Sequence, residues 1–301
     1  MIAIDKAGRL SEAEAQTAID GALDGVDVAM SNWRADSEIS RFNAQSGTED
    51  VAISPALHAV MQAAEDVHLA SLGRFDTAAG PLIELWGFGA SGALNRPAET
   101  AIAAQRARSG HSNVVRLGES ALRKTQEDAQ IYLAGIGKGF GADKVGQALE
   151  GLGVRDYMVE IGGDLYASGV NPDGVPWQIG IETPNTTDRG VFAVVGLSGM
   201  GLATSGDYRN YFEEGGRRFS HLIDPTTGYP VTHATASATV LAENAMLADA
   251  WSTAMLILGR EQGLDVAAEH GIAVQFIDRD TSSGSGGFRT HLSPRFREIT
   301  A

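Results

Sequence analysis

The chain has 301 residues, 43% of them hydrophobic, enough to bury one large core or two tightly joined ones. A formal net charge of −15 excludes a general nucleic-acid binder, because phosphate contacts need clustered Lys and Arg. The absence of cysteine excludes disulfides, zinc–thiolate sites, iron–sulfur clusters and cysteine nucleophiles.

Residues 1–10 lack a signal-peptide hydrophobic stretch, and no apolar run reaches the roughly 20 residues that span a bilayer. The chain therefore reads as cytoplasmic, or as a mature form whose leader has been removed. A first helix starts at Ser11, where Ser11 and Glu14 make a capping-box pattern ahead of Ala15, Ile19, Ala22, Val26 and Met30. A loop is expected over 31–47. Ser54-Pro55 opens a second helix, with Leu57, Val60, Met61, Ala64 and Val67 as its apolar stripe and Gly73 as its stop. Helices are expected over 99–109 and 138–152. Strands follow at 157–161, 165–168, 177–183, 191–197 and 236–241. Helices at 244–258 and 261–270 precede closing strands at 273–278 and 288–292, with 280–287 as a Ser/Gly-rich hairpin tip. This order is no regular βαβ alternation, so it predicts an α+β fold with a largely antiparallel sheet. No fixed-period repeat or linker is visible. Residues 1–301 read as one unit of two intimately joined lobes without a clear boundary.

Six segments hold residue types suited to a ligand site. After the first helix comes Trp33, an aromatic that can stack on a flat ring or simply close a loop on the core. Residues 73–89 include Arg74-Phe75-Asp76-Thr77, where Asp76 suits a turn as well as a ligand. Residues 134–143 open a helix with glycines around Lys138. Backbone N–H groups at a helix start favour anions, but the spacing is neither the dinucleotide fingerprint nor a P-loop. Residues 160–164 fit a tight hairpin turn. Thr204 and Ser205 lie in 203–208, ahead of His221-Leu222-Ile223-Asp224-Pro225-Thr226-Thr227-Gly228-Tyr229-Pro230. Histidine is the side chain most readily used as a base near neutral pH, although a turn with a hydrogen-bonded His explains the segment too. Asp249 and Thr253, four apart, share a helix face and offer hard oxygens suited to Mg²⁺ with waters and phosphates; the helix dipole alone also favours an acid there.

Together and in this order, the six segments resemble the FAD:protein FMN transferase (ApbE-type) family, from about residue 30 to Ser293-Pro294-Arg295-Phe296. The blocks at 204–208, 221–230 and 248–259 are the most specific. The resemblance implies an α+β fold with a T-fold-like core and a smaller α/β lobe. It implies FAD and Mg²⁺ as ligands, and transfer of FMN to a Thr or Ser hydroxyl of a partner flavoprotein, with AMP released. By position, Trp33 would lie beside the flavin. Arg74, Phe75, Asp76, Tyr132, Thr204 and Ser205 would line the FAD site, Lys138 would approach the cofactor, and Ile223 would touch it through its backbone. Asp249, Thr253 and the carbonyl of Gly135 would hold the metal, and His221 would be the base. Two positions depart from the pattern. Tyr132 stands where many members carry an aspartate that helps bind FAD, and Ser252 where some have a second acid. The same site would also serve an FAD pyrophosphatase or an FAD carrier. Most members are bacterial and periplasmic, which implies export. Ser91-Gly92-Ala93 matches part of an acceptor motif, but Leu94 stands where Ser or Thr is needed, which argues against self-modification.

Overall fold

The computed structural model of the chain describes residues 2–4, 10–89, 92–185, 190–280 and 287–301. Ser91 and the 281–286 part of the expected hairpin tip lie outside the described residues. At the centre is a seven-stranded sheet in the spatial order Ile2–Ile4, Tyr157–Ile161, Asp164–Ser168, Met200–Gly206, Thr235–Ala242, Ala273–Asp280, Gly287–Leu292. Every strand pairing among the described residues is antiparallel, as expected.

The sheet is buried on both faces. Ala238, Val240, Val274 and Phe276 face a core that includes Ala250, Ala254 and Met255 of the Ala245–His270 helix. Leu241, Ala273 and Ile277 face the other way, onto the Trp177–Glu182/Val191–Leu197 hairpin and Phe296 of the Pro294–Thr300 helix. Burial on both faces also takes in the polar residues of this strand: Ser237 and Thr239 are 1% and 0% exposed. Val51–Ala52, Val114–Leu117 and Ala121–Lys124 form a separate three-stranded sheet. Its Val114 and Leu122 share one continuous core with Leu57 and Val60 of the Pro55–Ala70 helix and with Val240. Among the described residues no helix is long and apolar enough to cross a membrane.

The expected helix starts are present. Ser11 and Glu14 form the full capping box, and Ser54 caps Pro55–Ala70. The stretch 31–47 is not all loop: Glu38–Ala44 is a helix capped by Ser37, with Ile39 and Phe42 fully buried. Seven residues carry too few repeats for a periodic signal. The two expected helices at 244–258 and 261–270 form one run broken at Gly259, whose φ is 72°.

A half-buried carboxylate caps the start of the Ala245–His270 helix. Asp143, on the Gly137–Gly151 helix, accepts from the N–H groups of Ala245 (2.8 Å) and Met246 (2.9 Å). It satisfies two first-turn donors that have no partner within their own helix. Burial pushes its carboxyl up to about 6, and the two backbone donors hold it down. Asp143→Ala leaves both donors short of a partner, so it should lower stability by about 1–3 kcal/mol. Urea unfolding checks this; an unchanged midpoint would remove Asp143 from the scaffold.

Candidate functional site

A cavity of about 450 Å³ opens where the start of the Gly137–Gly151 helix, the Ala245–His270 helix, the Met200–Gly206 strand and segment 221–225 converge. Every residue to which the resemblance assigns a ligand, metal or base role lines it except Trp33. Trp33 is 84% exposed and sits in a shallow depression that shares Ala134 and Lys138 with the cavity. A larger groove of about 840 Å³ lies on the far side of Arg74, but of those residues it holds Arg74 alone. Size therefore does not identify the site; the gathering of chemical groups does.

One end of the cavity is a cluster of oxygens. Asp249 is 2% exposed and its Oδ2 accepts from the N–H of Gly139 at 3.1 Å. Gly139 is needed there because a Cβ would overlap the carbonyl of Ala245 where the two helices cross. Thr253 lies one turn beyond Asp249. A Cβ on Gly135 would stand 3.0 Å from Thr253 Oγ1 and 3.3 Å from Phe75 Cε2, so that backbone is pressed against both side chains. Lys138 Nζ is 3.5 Å from Asp249 Oδ1 and also pairs with Asp164, which is 3% exposed. Burial pushes Asp249 above the usual carboxylate range and Asp164 adds to it, while Lys138 and the Gly139 N–H oppose them. Burial alone would lower Lys138; the two carboxylates outweigh it and raise it.

A buried carboxylate and a hydroxyl one helical turn apart, beside the Gly135 backbone, are hard oxygen donors of the kind a divalent cation takes, with phosphate oxygens and water completing its shell. The residues present therefore fit Mg²⁺. Among the described residues no group of three or more His, Cys, Asp or Glu could hold a metal, so a cation here would rest on few protein ligands, with phosphate oxygens and water for the rest. Ser252, in place of a second acid, is 1% exposed and its hydroxyl lies 2.9 Å from Ser205 Oγ. Ser205 also lies 3.3 Å from Thr253 Oγ1, and Thr204 pairs with Thr239 at 2.8 Å. The Ser205 contacts tie the Met200–Gly206 strand to the helix that carries Asp249, and the Thr204 contact ties it to the Thr235–Ala242 strand.

The other end holds His221, half-buried just past the Tyr211–Glu214/Arg217–Ser220 hairpin. The carbonyl of Asn210 takes both the backbone N–H of His221 (3.1 Å) and its ring Nδ1 (3.0 Å). A carbonyl can only accept, so Nδ1 carries the proton and Nε2 keeps a free lone pair. Burial pulls the imidazole below its ordinary value; the Asn210 carbonyl and the Asp207 carboxylate offset this in part. His221 is thus a neutral imidazole near pH 7, with Nε2 able to accept a proton. The segment after it is a turn, as expected: Ile223 pairs with Pro230, and Asp224 accepts from Thr226 N (2.9 Å) and, through its carbonyl, from Gly228 N (2.7 Å). Arg74 Nε lies 3.5 Å from Asp224 Oδ2 and so holds this turn against the cavity.

Asp76 lines the cavity, yet its two carboxylate oxygens accept from the N–H groups of Ala78 (2.8 Å) and His111 (2.9 Å). Its structural work is to shape the turn beside Arg74. The Tyr132 ring lies against Gly80, and its hydroxyl is 3.1 Å from Gln130 Oε1. It presents a flat wall where an aspartate would present charge. Sequence reasoning placed Asp164 only in a hairpin turn and missed its pairing with Lys138. Trp86 falls within the 73–89 segment but had no role assigned there; its Nε1 donates to the Gly228 carbonyl at 2.9 Å and steadies the turn after His221. An acid directly after a Gly-Gly turn is the one local signal that could have marked Asp164.

Residues 2–276 match the profile of the ApbE family. The chain is 41% identical over 288 residues to the FAD:protein FMN transferase of Haemophilus influenzae, covering 94% of this chain and 82% of that protein. It is 37% identical over 302 residues to the FAD:protein FMN transferase of Klebsiella pneumoniae, covering 99% and 84%. Among solved structures it is similar to the flavin transferase ApbE from Vibrio cholerae, with a TM-score of 0.87 and 36% identity over 99% of this chain and 94% of that one. The apo form of the Pseudomonas stutzeri flavinyl transferase ApbE superposes with a TM-score of 0.89 at 36% identity, covering 99% and 92%.

Proposed function

Given that the chain belongs to the ApbE family and is an enzyme that transfers flavin from FAD, we propose that it uses Mg²⁺ to move FMN onto a Thr or Ser hydroxyl of a partner flavoprotein. The observation that carries this reading is the pairing, in one cavity, of a base with a fixed tautomer and a cluster of oxygen donors beside a lysine. His221 Nε2 takes the proton of the acceptor hydroxyl as that oxygen attacks the phosphorus on the FMN side of FAD. The new P–O bond makes the phosphoester, the bond to the AMP phosphate breaks, and AMP leaves. Asp249, Thr253 and the Gly135 carbonyl would hold the Mg²⁺, which supplies charge neutralisation at the diphosphate. Lys138 adds a positive charge at the same place, at a helix start that itself favours anions.

One incubation tests the reading: protein, FAD, Mg²⁺ and an acceptor flavoprotein domain. Acid-stable flavin on the acceptor, with one AMP per flavin, is the expected result. FMN and AMP with an unlabelled acceptor would assign a pyrophosphatase, and bound FAD without AMP a carrier. The exposed indole of Trp33 suits stacking on the isoalloxazine across the Lys138 edge of the cavity. Trp33→Ala should weaken FAD binding by about 1–2 kcal/mol, roughly five- to thirtyfold in Kd, read by flavin fluorescence. An unchanged Kd would place Trp33 outside the flavin site.

A further inference from the structure

The corner around Asp249 contains a conflict. Lys138 stands in the first turn of the Gly137–Gly151 helix, where the backbone dipole disfavours a cation. It is held there by two nearly inaccessible carboxylates, Asp164 and Asp249, which lie on different elements. The hairpin turn between Ile161 and Asp164 is shaped around it. Gly162 has a φ of 61°, and a Cβ there would sit 3.2 Å from Lys138 Cδ. Asp249 has one oxygen committed to the Gly139 N–H, which leaves Oδ1 for a cation. That same Oδ1 is the oxygen 3.5 Å from the Lys138 ammonium. A Mg²⁺ bonds an oxygen at about 2.1 Å, so ion and ammonium would crowd around one atom with like charge.

We propose that Lys138 is an exchangeable counter-ion of this site: a divalent cation displaces its ammonium from Asp249, and the freed ammonium turns to the diphosphate of the nucleotide while Asp164 tethers it. Asp164 is then a positioning residue that acts through Lys138. The inference rests on the metal-site reading above. It adds that the cation and the nucleotide help each other bind, because the partner Lys138 loses in Asp249 is replaced by phosphate oxygens. Such coupling is reciprocal. Without nucleotide the cation binds weakly, since it must first displace an internal one.

The test measures Mn²⁺ binding to the full chain without nucleotide, by the electron paramagnetic resonance of free Mn²⁺. Lys138→Met should bind Mn²⁺ at least about tenfold tighter than the unmodified protein. Lys138→Arg keeps the charge and should stay at the unmodified affinity. In a second measurement, FAD affinity is read by flavin fluorescence with Mg²⁺ and with chelator. The factor by which Mg²⁺ tightens FAD should fall several-fold in Lys138→Met and in Asp164→Asn. A folded Lys138→Met whose Mn²⁺ affinity equals or trails that of the unmodified protein overturns the proposal. If that variant does not fold, as read by circular dichroism, Lys138→Gln takes its place under the same criterion. Asp249→Asn separates the two readings: loss of Mn²⁺ binding keeps the metal site whatever Lys138 does, and unchanged binding removes the metal site itself.

Discussion

Replacing His221 with alanine should leave the affinity for FAD within about twofold and slow acceptor labelling by about 10²–10⁴-fold, the usual contribution of a positioned base. The expectation follows from the tautomer. The Asn210 carbonyl fixes the proton on Nδ1, so Nε2 is the acceptor whatever the solution pH above the imidazole pKa. Burial places that pKa below its ordinary value. A base works only when unprotonated. The transfer rate should therefore hold steady near neutral pH and fall as pH drops through a pKa below about 6.5. In His221→Ala this acid limb should be absent from kcat/KM. Transfer by that variant at the unmodified rate would give the base to another group.

Asp249→Asn should lower Mg²⁺-dependent turnover by about a hundredfold or more, and the residual rate should no longer respond to added Mg²⁺. Asparagine keeps the volume and an oxygen for the Gly139 N–H, so the crossing of the two helices survives. Stability should be equal or higher. The sign follows from the pKa: burial and Asp164 raise Asp249 in the folded protein, so its charged form is less favourable folded than unfolded. Removing the charge relieves that cost above the unfolded pKa. The pairing of Lys138 with Asp164 remains and still balances the lysine. Loss of activity with a raised or unchanged unfolding midpoint is the signature of a site held at some expense to the fold. Loss of both would make Asp249 a scaffold residue first.

Some of this was legible residue by residue. The caps at Ser11 and Ser54, the break at Gly259 and the turn between Ile161 and Asp164 follow from local chemistry: a hydroxyl for orphan N–H groups, and a glycine where φ is positive. The Met200–Gly206 strand was not legible. It reads as Met-Gly-Leu-Ala-Thr-Ser-Gly, too small and mixed to look like a strand, and it is extended because it pairs with Asp164–Ser168 on one side and Thr235–Ala242 on the other. The two-residue strands at Ile223–Asp224 and Tyr229–Pro230 are too short to carry any period.

By itself the sequence determined the chemical inventory: a chain without thiols, acidic overall, with a histidine ahead of a tight turn and an acid and a hydroxyl one helical turn apart. It also determined the antiparallel α+β class, because runs of strands closed by hairpins leave little room for crossovers. Only the tertiary structure decided which groups meet. Lys138 reaches Asp249 across 111 positions of chain and Asp164 across 26, and the tautomer of His221 depends on a carbonyl 11 residues earlier. Periodicity and capping report on neighbours within one turn or one pleat. The charge and proton state of a buried group are set by whatever the fold brings against it from elsewhere, and that depends on how the sheet and the two crossing helices pack.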